Sequence, residues 1–407
     1  MKNYDLIVIG AGPAGSMAAR VAAQHGLSVL VIEQKKVVGY PSHCAGGILT
    51  NILDNLRLTS VVKKSIRARI QTIQVCSPTM RMVTHRFKKP IGWIVDRPLF
   101  DQSLLEDAHR KGAEILTQTQ AVGLIEAQNT FNQVIIKNKD GVQRINTKIV
   151  IGADGVASNV AKWAGLSIPR KFGIGFGYNA EHLVNIAADT VEIYFLSTIP
   201  GGYAWIFPRG ADTANIGVGG YNSGTYMKTV FEWFRQKHAI AAPKIGGARL
   251  INYTGGIVPG SRIPCKTTFN YGMIVGDAAN QVNLMTGEGI RLSLICGELA
   301  GKSAVTTIKG NNLSLIHQYQ KLWHNTASIE LLASHILRHF FLRFSAADYD
   351  LFVDAISRVN LDLIFNKRRW AALLFQGILK TPSTLKITRN GLRSLPSFVK
   401  LFQSSQK

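Results

Sequence analysis

The chain has few cysteines, no long apolar run and no obvious export signal. Its 407 residues contain four cysteines, none in a C-x-x-C pair: Cys44, Cys76, Cys265 and Cys296. This spacing argues against a disulfide framework or a zinc site and indicates reduced thiols. No apolar run reaches the roughly 18 residues that a membrane-spanning helix needs. The polar start, followed directly by a strand pattern, is not typical of a signal peptide. We therefore expect a cytoplasmic protein without a metal centre.

Acidic residues are also scarce, and the resulting excess of positive charge indicates an interaction with an anionic partner or surface. Lys and Arg number 47 against 24 Asp and Glu, a formal charge of +23. No nucleic-acid-binding motif accompanies them, so we expect no nucleic-acid partner. Cations alternate with apolar runs in residues 329–345 and 367–380. Basic amphipathic helices of this kind suit an anionic membrane surface on the inner face of the membrane. The alternative is a solvated helical cap on the core.

The N-terminal region has the pattern of a β–α–β unit. The apolar run at residues 4–9 predicts a buried strand, residues 13–25 predict a helix, and residues 27–33 predict a second strand. Together these roughly thirty residues form half of a Rossmann-type fold. The predicted fold class is therefore α/β.

A glycine-rich turn, G-A-G-P-A-G, joins the first strand to the helix. Gly10 allows the tight turn, Gly12 lets the backbone approach a pyrophosphate, and Gly15 lets the helix pack on the strand. Ala14 lies in the first helical turn, where free N–H groups face phosphates. Glu33 ends the second strand, where its carboxylate can accept both hydroxyls of an adenosine ribose. These residues predict a dinucleotide site.

Two later motifs complete the site. Asp154 follows a strand within G-A-D-G, and Asp277 follows another strand within G-D-A-A. Asp277 is placed to hold a ribityl hydroxyl through a charged hydrogen bond. Beyond it, residues 286–308 predict a long helix that begins near Gly289 and Ile290. The N-terminus of this helix would stabilise negative charge on a reduced flavin. Motifs at both ends of some 280 residues predict one FAD held at both ends.

The order of the patterns predicts a discontinuous nucleotide domain. We assign residues 1–70, 96–165 and 266–310 to a Rossmann-type FAD-binding domain. Residues 71–95 and 166–265 read as mostly antiparallel strands, with one helix near 223–238, and form an inserted antiparallel-sheet substrate domain. Residues 311–407 form a helical, basic C-terminal region.

The three motifs resemble the para-hydroxybenzoate hydroxylase fold, and two further stretches resemble the geranylgeranyl reductase family. The first is C-A-G-G at residues 44–47, and the second is Y-A-W-I-F-P-R at residues 203–209. The family signature is Tyr-x-Trp-x-Phe-Pro, usually followed by lysine, where this chain has Arg209. Asn280 and Leu284 also depart from common family residues. The resemblance spans roughly residues 1–310.

The resemblance implies further contacts to the FAD. Cys44, Ala45 and Gly47 would lie beside the flavin, and the glycines would permit close approach to its ring. Arg97 and the backbone at Val122 would also contact the cofactor. Asp154 stands in the element found between flavin and pyridine nucleotide in the related hydroxylases.

The aromatic signature suggests a substrate site. Tyr203, Trp205 and Phe207 alternate on one predicted strand, so their side chains share a face. That face would wall an apolar tunnel for an isoprenoid chain, with Tyr203 as its polar tip. Arg209 would also bind the substrate. The alternative is an aromatic face that packs the two domains together.

The implied activity is saturation of C=C bonds in a prenyl chain by hydride transfer from N5 of reduced flavin. Cys44, Tyr203 or a water would supply the proton, with Trp205 beside the reacting carbons. The substrate would be a prenylated lipid, quinone or pigment precursor. No second G-x-G-x-x-G unit is present, so NAD(P)H, ferredoxin or another small electron carrier would donate electrons transiently. The alternatives are an aromatic monooxygenase or halogenase, and a flavin electron-transfer protein linked to quinones.

Overall fold

The structure is a computed structural model, and it describes residues 2–126, 132–169, 171–221, 226–261, 264, 266–358 and 361–362. The predicted amphipathic stretch 367–380 and Cys265 lie outside the described residues. The strands are β1 (Asn3–Ile9), β2 (Val29–Ile32), β3 (Gly47–Leu49), β4 (Ile66–Ile70), β5 (Thr72–Cys76), β6 (Met82–Arg86), β7 (Gly92–Val95), β8 (Glu114–Leu116), β9 (Gln120–Ile125), β10 (Asn132–Asn138), β11 (Gly141–Gly152), β12 (Phe172–Glu181), β13 (Thr190–Tyr194), β14 (Tyr203–Pro208), β15 (Ala214–Gly220), β16 (Arg249–Tyr253), β17 (Gly256–Pro259), β18 (Thr268–Phe269) and β19 (Gly272–Ile274).

The helices follow the same chain order. They are α1 (Pro13–Gln24), α2 (Thr50–Asn55), α3 (Arg97–Arg110), α4 (Asn159–Trp163), α5 (Met227–Lys237), α6 (Ala242–Ile245), α7 (Ile290–Lys309), α8 (Gln318–Phe341) and α9 (Ala346–Ser357). Helix α7 begins at Ile290, as the motif at Gly289 predicts, and the outer bound of residue 286 is wrong, because Gly287 has a φ of +69°. The short helix α6 was not expected from the sequence.

The first sheet is the nucleotide-binding layer, with strand order β18-β19-β11-β1-β2-β8 and a hairpin of β9 and β10 on β11. The central strands β11, β1 and β2 are parallel, as the β–α–β pattern predicts. Their near-continuous apolar residues are buried on both faces, which is why they read as unbroken apolar runs. The predicted Rossmann-type α/β fold is therefore confirmed.

Helices α1 and α7 pack tightly on one face of this sheet. A Cβ at Gly297 of α7 would lie 2.4 Å from the carbonyl oxygen of Ala14, and one at Gly301 would lie 2.7 Å from that of Ala18. The two glycines let the helix backbones approach closely. This contact places the first half of α7 along α1, although the chain between the two helices is more than 260 residues long.

The second sheet has the order β16-β12-β15-β14-β13-β5-β6, with β17 also paired to β12. Most of its pairs are antiparallel, as expected, but β13 pairs with β5 in parallel. One face packs on α5 and α6 through Ile206, Ile216 and Val218. The opposite face, which carries the odd-numbered residues of β14, is directed toward the nucleotide-binding layer.

A small third sheet, β3-β7-β4, connects the two larger layers. It holds the loop that ends at Gly47, since Gly47 pairs with Ile94 on β7. Helices α8 and α9 then close the molecule against the second sheet through a cluster that includes Phe195, Phe341 and Tyr349. None of the helices in the described part of the chain is long and apolar enough to span a membrane.

Candidate active site

The glycine-rich turn between β1 and α1 is shaped for close backbone contacts and leaves an open space. Gly10 has a φ of +103°, and a Cβ there would lie 2.3 Å from the carbonyl oxygen of Ala153. A Cβ on Gly15 would lie 1.9 Å from the carbonyl oxygen of Gly10. A Cβ on Gly12, at the N-terminus of α1, would meet no atom within 4 Å. The turn thus leaves room for a phosphate in front of a helix N-terminus.

Glu33 lies at the end of β2, beside this turn. Its two carboxylate oxygens accept hydrogen bonds from the backbone N–H groups of Ala11 at 2.9 Å and Lys35 at 2.8 Å. These bonds fix the carboxylate while each oxygen keeps a further lone pair. Ala14 is buried, and its methyl group faces Gly276. Its contribution to a phosphate site would therefore come from its backbone N–H.

Asp277 occupies the opposite end of the predicted cofactor site. It lies in a short 3-10 turn over Gly276–Ala279, and no described residue donates a hydrogen bond to its carboxylate. Burial raises the pKa of Asp277, and the nearby Arg97 only partly offsets this. A half-buried carboxylate that accepts no hydrogen bond from the described residues fits a ligand hydroxyl, as a ribityl chain would provide. Gly289 lies next to it, because a Cβ there would be 3.4 Å from Oδ1 of Asp277.

The helix α7 begins directly after Gly289 and has no side-chain cap at its N-terminus. Ile290 forms its first turn and packs in the apolar cluster with Met17 and Leu294. The N-terminus of this 20-residue helix therefore has backbone N–H groups without a side-chain cap, and it lies close to Asp277. Together with the open turn at Gly12 and the orphan carboxylate of Asp277, this arrangement fits an FAD.

Arg97 begins α3 and connects Asp277 to the cysteine loop. Its Nε and Nη2 atoms donate to Asp101 at 3.1 and 2.9 Å, and the sulfur of Cys44 lies beside it. Burial disfavours its charge, but Asp101 and Cys44 outweigh this effect and raise the pKa of Arg97. The guanidinium of Arg97 therefore stays charged beside the carboxylate of Asp101 and the thiol of Cys44.

The loop of residues 44–47 is held in one conformation. The N–H of Gly46 donates to Sγ of Cys44 at 3.3 Å, and Gly46 has a φ of +85°. A Cβ on Gly46 would lie 2.2 Å from the carbonyl oxygen of Val95, and one on Gly47 would lie 3.5 Å from the ring of Phe207. Ala45 stands between them. The loop therefore packs between β7 and the aromatic face of β14.

The predicted shared face of Tyr203, Trp205 and Phe207 is confirmed. Successive ring centroids are 5.9 and 6.2 Å apart. The indole of Trp205 lies over Gly217 and Gly219 of β15, where a Cβ would approach it to 2.4 and 3.2 Å. Because these glycines have no side chains, the bulky ring of Trp205 can pack directly on the backbone of β15.

A polar network fixes the orientation of Trp205. Its Nε1 donates to Oδ1 of Asn215 at 2.8 Å, and Asn215 in turn donates to Asn179 and Thr254. The residue is 8% exposed, so most of its surface is covered by protein. The side chain is therefore held rigidly.

Tyr203 places a hydroxyl at the edge of this aromatic face. The hydroxyl donates to the backbone carbonyl of Thr286, in the loop before α7. Burial raises the pKa of Tyr203, and Tyr221 and Cys44 add to the effect. The phenol therefore keeps its proton, and Tyr203, Cys44 and Arg97 lie in one neighbourhood with Asp277.

Three predicted site residues lie apart from this neighbourhood or are engaged elsewhere. Arg209 donates to Asp96 at 2.7 Å, at the start of α3. The carboxylate of Asp154 accepts from Ser158 and from two backbone N–H groups of α4, so it caps that helix. Val122 is exposed on β9. Direct contacts from these three residues to FAD or substrate stay predictions.

Sequence reasoning overlooked the polar residues that surround the loop before α7. Tyr221 donates to the carbonyl of Leu284, and Arg291 bonds to Glu288 and Glu330. The motif around Glu288 indicated a helix start, but nothing in the sequence pairs residue 291 with residue 330. Among the described residues, no group of three or more His, Cys, Asp or Glu could hold a metal ion.

Comparison with known proteins agrees with the site. The model of an FAD-binding domain family matches residues 3–239, more than half of the chain. Fold and site together define an FAD-dependent oxidoreductase. The chain belongs to the geranylgeranyl reductase family of these enzymes.

Relatives and solved structures support this assignment. Digeranylgeranylglycerophospholipid reductase of Methanosarcina acetivorans is 33% identical over 371 residues, covering 88% of this chain and 90% of the relative. The Methanocaldococcus jannaschii enzyme of the same name is also 33% identical, with 94% and 97% covered. A geranylgeranyl bacteriochlorophyll reductase-like protein from Thermoplasma acidophilum superposes with a TM-score of 0.87 at 26% identity, covering 96% of this chain and all of that one. A flavin-dependent brominase, with a TM-score of 0.76 and 17% identity, shares the fold alone.

Proposed function

We propose that this chain saturates the C=C bonds of geranylgeranyl-type chains carried by a glycerophospholipid, as the names of its curated relatives describe. The observation that carries the proposal is the meeting of three elements. The aromatic face of β14 contacts the cysteine loop at Gly47 and the loop before α7 at Thr286. An apolar wall, a thiol and a phenol therefore surround the place where the residues fit a flavin.

Reduced FAD supplies the hydride for this chemistry. An unactivated trisubstituted alkene accepts a hydride poorly, so a proton must reach the second carbon as or before the hydride arrives. The phenol of Tyr203 keeps its proton because its pKa is raised. The thiol of Cys44 lies beside charged Arg97, and we propose these two groups as the candidate proton sources. General acid assistance typically contributes about 10²–10⁴-fold to a rate.

We propose that the electrons arrive from a transient donor, either NAD(P)H or a small carrier such as a ferredoxin. The absence of a second G-x-G-x-x-G unit supports transient binding. Purified enzyme would be mixed with each donor under anaerobic conditions while the flavin absorbance is followed. The donor that bleaches the flavin within the turnover time is the physiological class.

We also propose a cytoplasmic enzyme that rests on an anionic membrane surface. The predicted stretch 329–345 covers the second half of α8 and the turn to α9. On the outer side of α8, Ile329 is 83% exposed, and Leu322 and Leu332 are also exposed. Lys321 and Arg343 are exposed cations on the same helix and the turn after it. Apolar side chains beside cations favour insertion into anionic lipid.

The decisive experiment is an anaerobic turnover assay. Reduced enzyme is given a digeranylgeranylglycerophospholipid, and the product is analysed by mass spectrometry. We expect a gain of two hydrogens for each bond reduced. Oxygen-dependent hydroxylation of an aromatic compound, with the lipid unchanged, would instead identify a monooxygenase.

A further inference from the structure

The loop of residues 283–289, between the Asp277 turn and α7, is folded around Asn283. Oδ1 of Asn283 accepts from the N–H groups of Met285 and Thr286 at 3.1 and 3.2 Å. The backbone carbonyl of Asn283 accepts from the N–H of Gly287 at 2.8 Å, and its N–H donates to the backbone carbonyl of Glu288 at 2.9 Å. The loop is therefore held together by its own hydrogen bonds, and it carries the carbonyl of Thr286 that accepts from the phenol of Tyr203.

Helix α8, from the C-terminal region, binds this loop at two points. Ser334 accepts from the N–H of Leu284 at 3.2 Å, and Glu330 accepts from Nδ2 of Asn283 at 3.3 Å. Two side chains one helical turn apart thus fix the loop from outside the nucleotide domain.

Glu330 also joins a mostly buried charge cluster at the first turn of α7. Arg291 donates through Nε and Nη2 to both oxygens of Glu288 at 2.9–3.1 Å, and through Nη2 to Glu330. Burial raises the pKa of Glu288, with Arg291 opposing and Glu330 adding to the shift. The cluster thus brings two carboxyl groups to one guanidinium, and Glu330 supplies one of its two acidic groups.

We propose that Glu330 is a positioning residue for the bound FAD: it holds the 283–289 loop against the start of α7 and places negative charge beside the flavin. The inference rests on the FAD site and on no particular substrate. Negative charge at this point opposes the helix dipole, which alone would stabilise anionic reduced flavin. The bound flavin is thereby kept strongly reducing, which suits a substrate that accepts hydride poorly.

The test compares Glu330→Gln, Glu330→Ala and the control Glu298→Gln. Glu298 is on α7, where it pairs with Lys302 at 2.8 Å, about 12 Å along the helix from its start. The midpoint potential of the bound FAD is measured in each variant, without substrate. Removing the charge of Glu330 should shift the potential to more positive values in both Glu330 variants, while Glu298→Gln keeps the wild-type potential.

A second measurement needs no cofactor. Amide hydrogen exchange is followed in apo protein at the N–H groups of Asn283, Thr286 and Gly287. Glu330→Ala should speed their exchange about tenfold, the scale of one lost hydrogen bond to a charged group. Glu330→Gln keeps an acceptor for Asn283 and should exchange more slowly than Glu330→Ala.

Two results would overturn the proposal. One is a wild-type midpoint potential in Glu330→Gln, which would make Glu330 a purely structural brace. The other is an equal shift in Glu298→Gln, which would show a general charge effect. Neither result depends on whether the enzyme reduces a prenyl lipid, so the failure of the proposed function would be seen separately.

Discussion

The hydroxyl of Tyr203 donates a hydrogen bond to the carbonyl of Thr286 across the boundary between the two sheet layers. One residue belongs to the aromatic wall and the other to the loop before α7. The phenol that we propose as a proton source is thus oriented by the loop before α7, the helix whose N-terminus we expect to face the flavin. A change in either layer will therefore move the proton relative to the flavin.

The glycine-rich turn gives a sharp prediction, because its glycines have different surroundings. Gly12→Val should leave the apo protein folded, since φ is −69° and no atom lies within 4 Å of the new Cβ. FAD binding should be lost, because the side chain fills the phosphate space. Gly15→Ala is the comparison, and it should lower apo stability because its Cβ meets the Gly10 carbonyl. Flavin absorbance and melting temperature check both. Normal FAD content in Gly12→Val would contradict this site.

Asp277 predicts opposite effects on the apo and loaded protein. Its pKa is raised in the fold above the ordinary 3.8, so its ionisation costs stability as the pH rises above 3.8. Apo Asp277→Asn should therefore melt higher than apo wild type at pH 7, and the difference should shrink toward pH 3.8. FAD should bind about 10- to 100-fold more weakly, because a charged hydrogen bond is lost. Unchanged affinity would place the ribityl chain elsewhere.

The aromatic wall is tested by Trp205→Ala. The change should lower the free energy of unfolding by about 3–5 kcal/mol, as is usual for a buried Trp. FAD should stay bound, while reduction of a long prenyl chain is impaired more than that of a short analogue. Trp233→Ala, at a partly exposed site on α5, is the control and should retain turnover. Equal losses for long and short substrates would indicate that Trp205 only packs the domains.

Cys44→Ser should lower turnover with little loss of flavin, if the thiol helps to deliver the proton. The matched control is Cys76→Ser, because Cys76 is buried in the second sheet, where burial raises its pKa to about 11. That variant should lose stability and keep its turnover per bound flavin. Stopped-flow rates of flavin reoxidation by the lipid provide the measurement. Wild-type rates in Cys44→Ser would leave Tyr203 or a water as the proton source.

Membrane attachment is tested with vesicles of anionic and neutral lipid. Wild-type protein should bind the anionic vesicles, and added salt should weaken the binding by screening. Ile329→Ser should reduce it further, since about 2 kcal/mol of apolar burial is removed. Val142→Ser, at a 66% exposed position on β11, should have no effect. Equal binding to both lipids at low salt would indicate that α8 only covers the protein core and does not bind the membrane.

Local patterns predicted the nucleotide layer well, because its β–α–β unit is continuous in sequence. The turn at Gly12, the carboxylate of Glu33 and the helix start at Arg97 all follow from neighbouring residues. Long-range pairings were not predictable. The parallel contact of β13 with β5 and the pairing of Arg291 with Glu330 join segments far apart in the chain. No periodicity or turn signal encodes such contacts.

The first sheet also constrains when the cofactor can enter. Strand β1 pairs with β11, and β11 pairs with β19, so the layer joins chain segments near residues 3, 146 and 272. At about 5–20 residues per second, Ile290 leaves the ribosome roughly 15–60 s after Gly10. Because Gly12 and Asp277 lie on the two segments that this delay separates, we expect FAD to bind only after both have been synthesised.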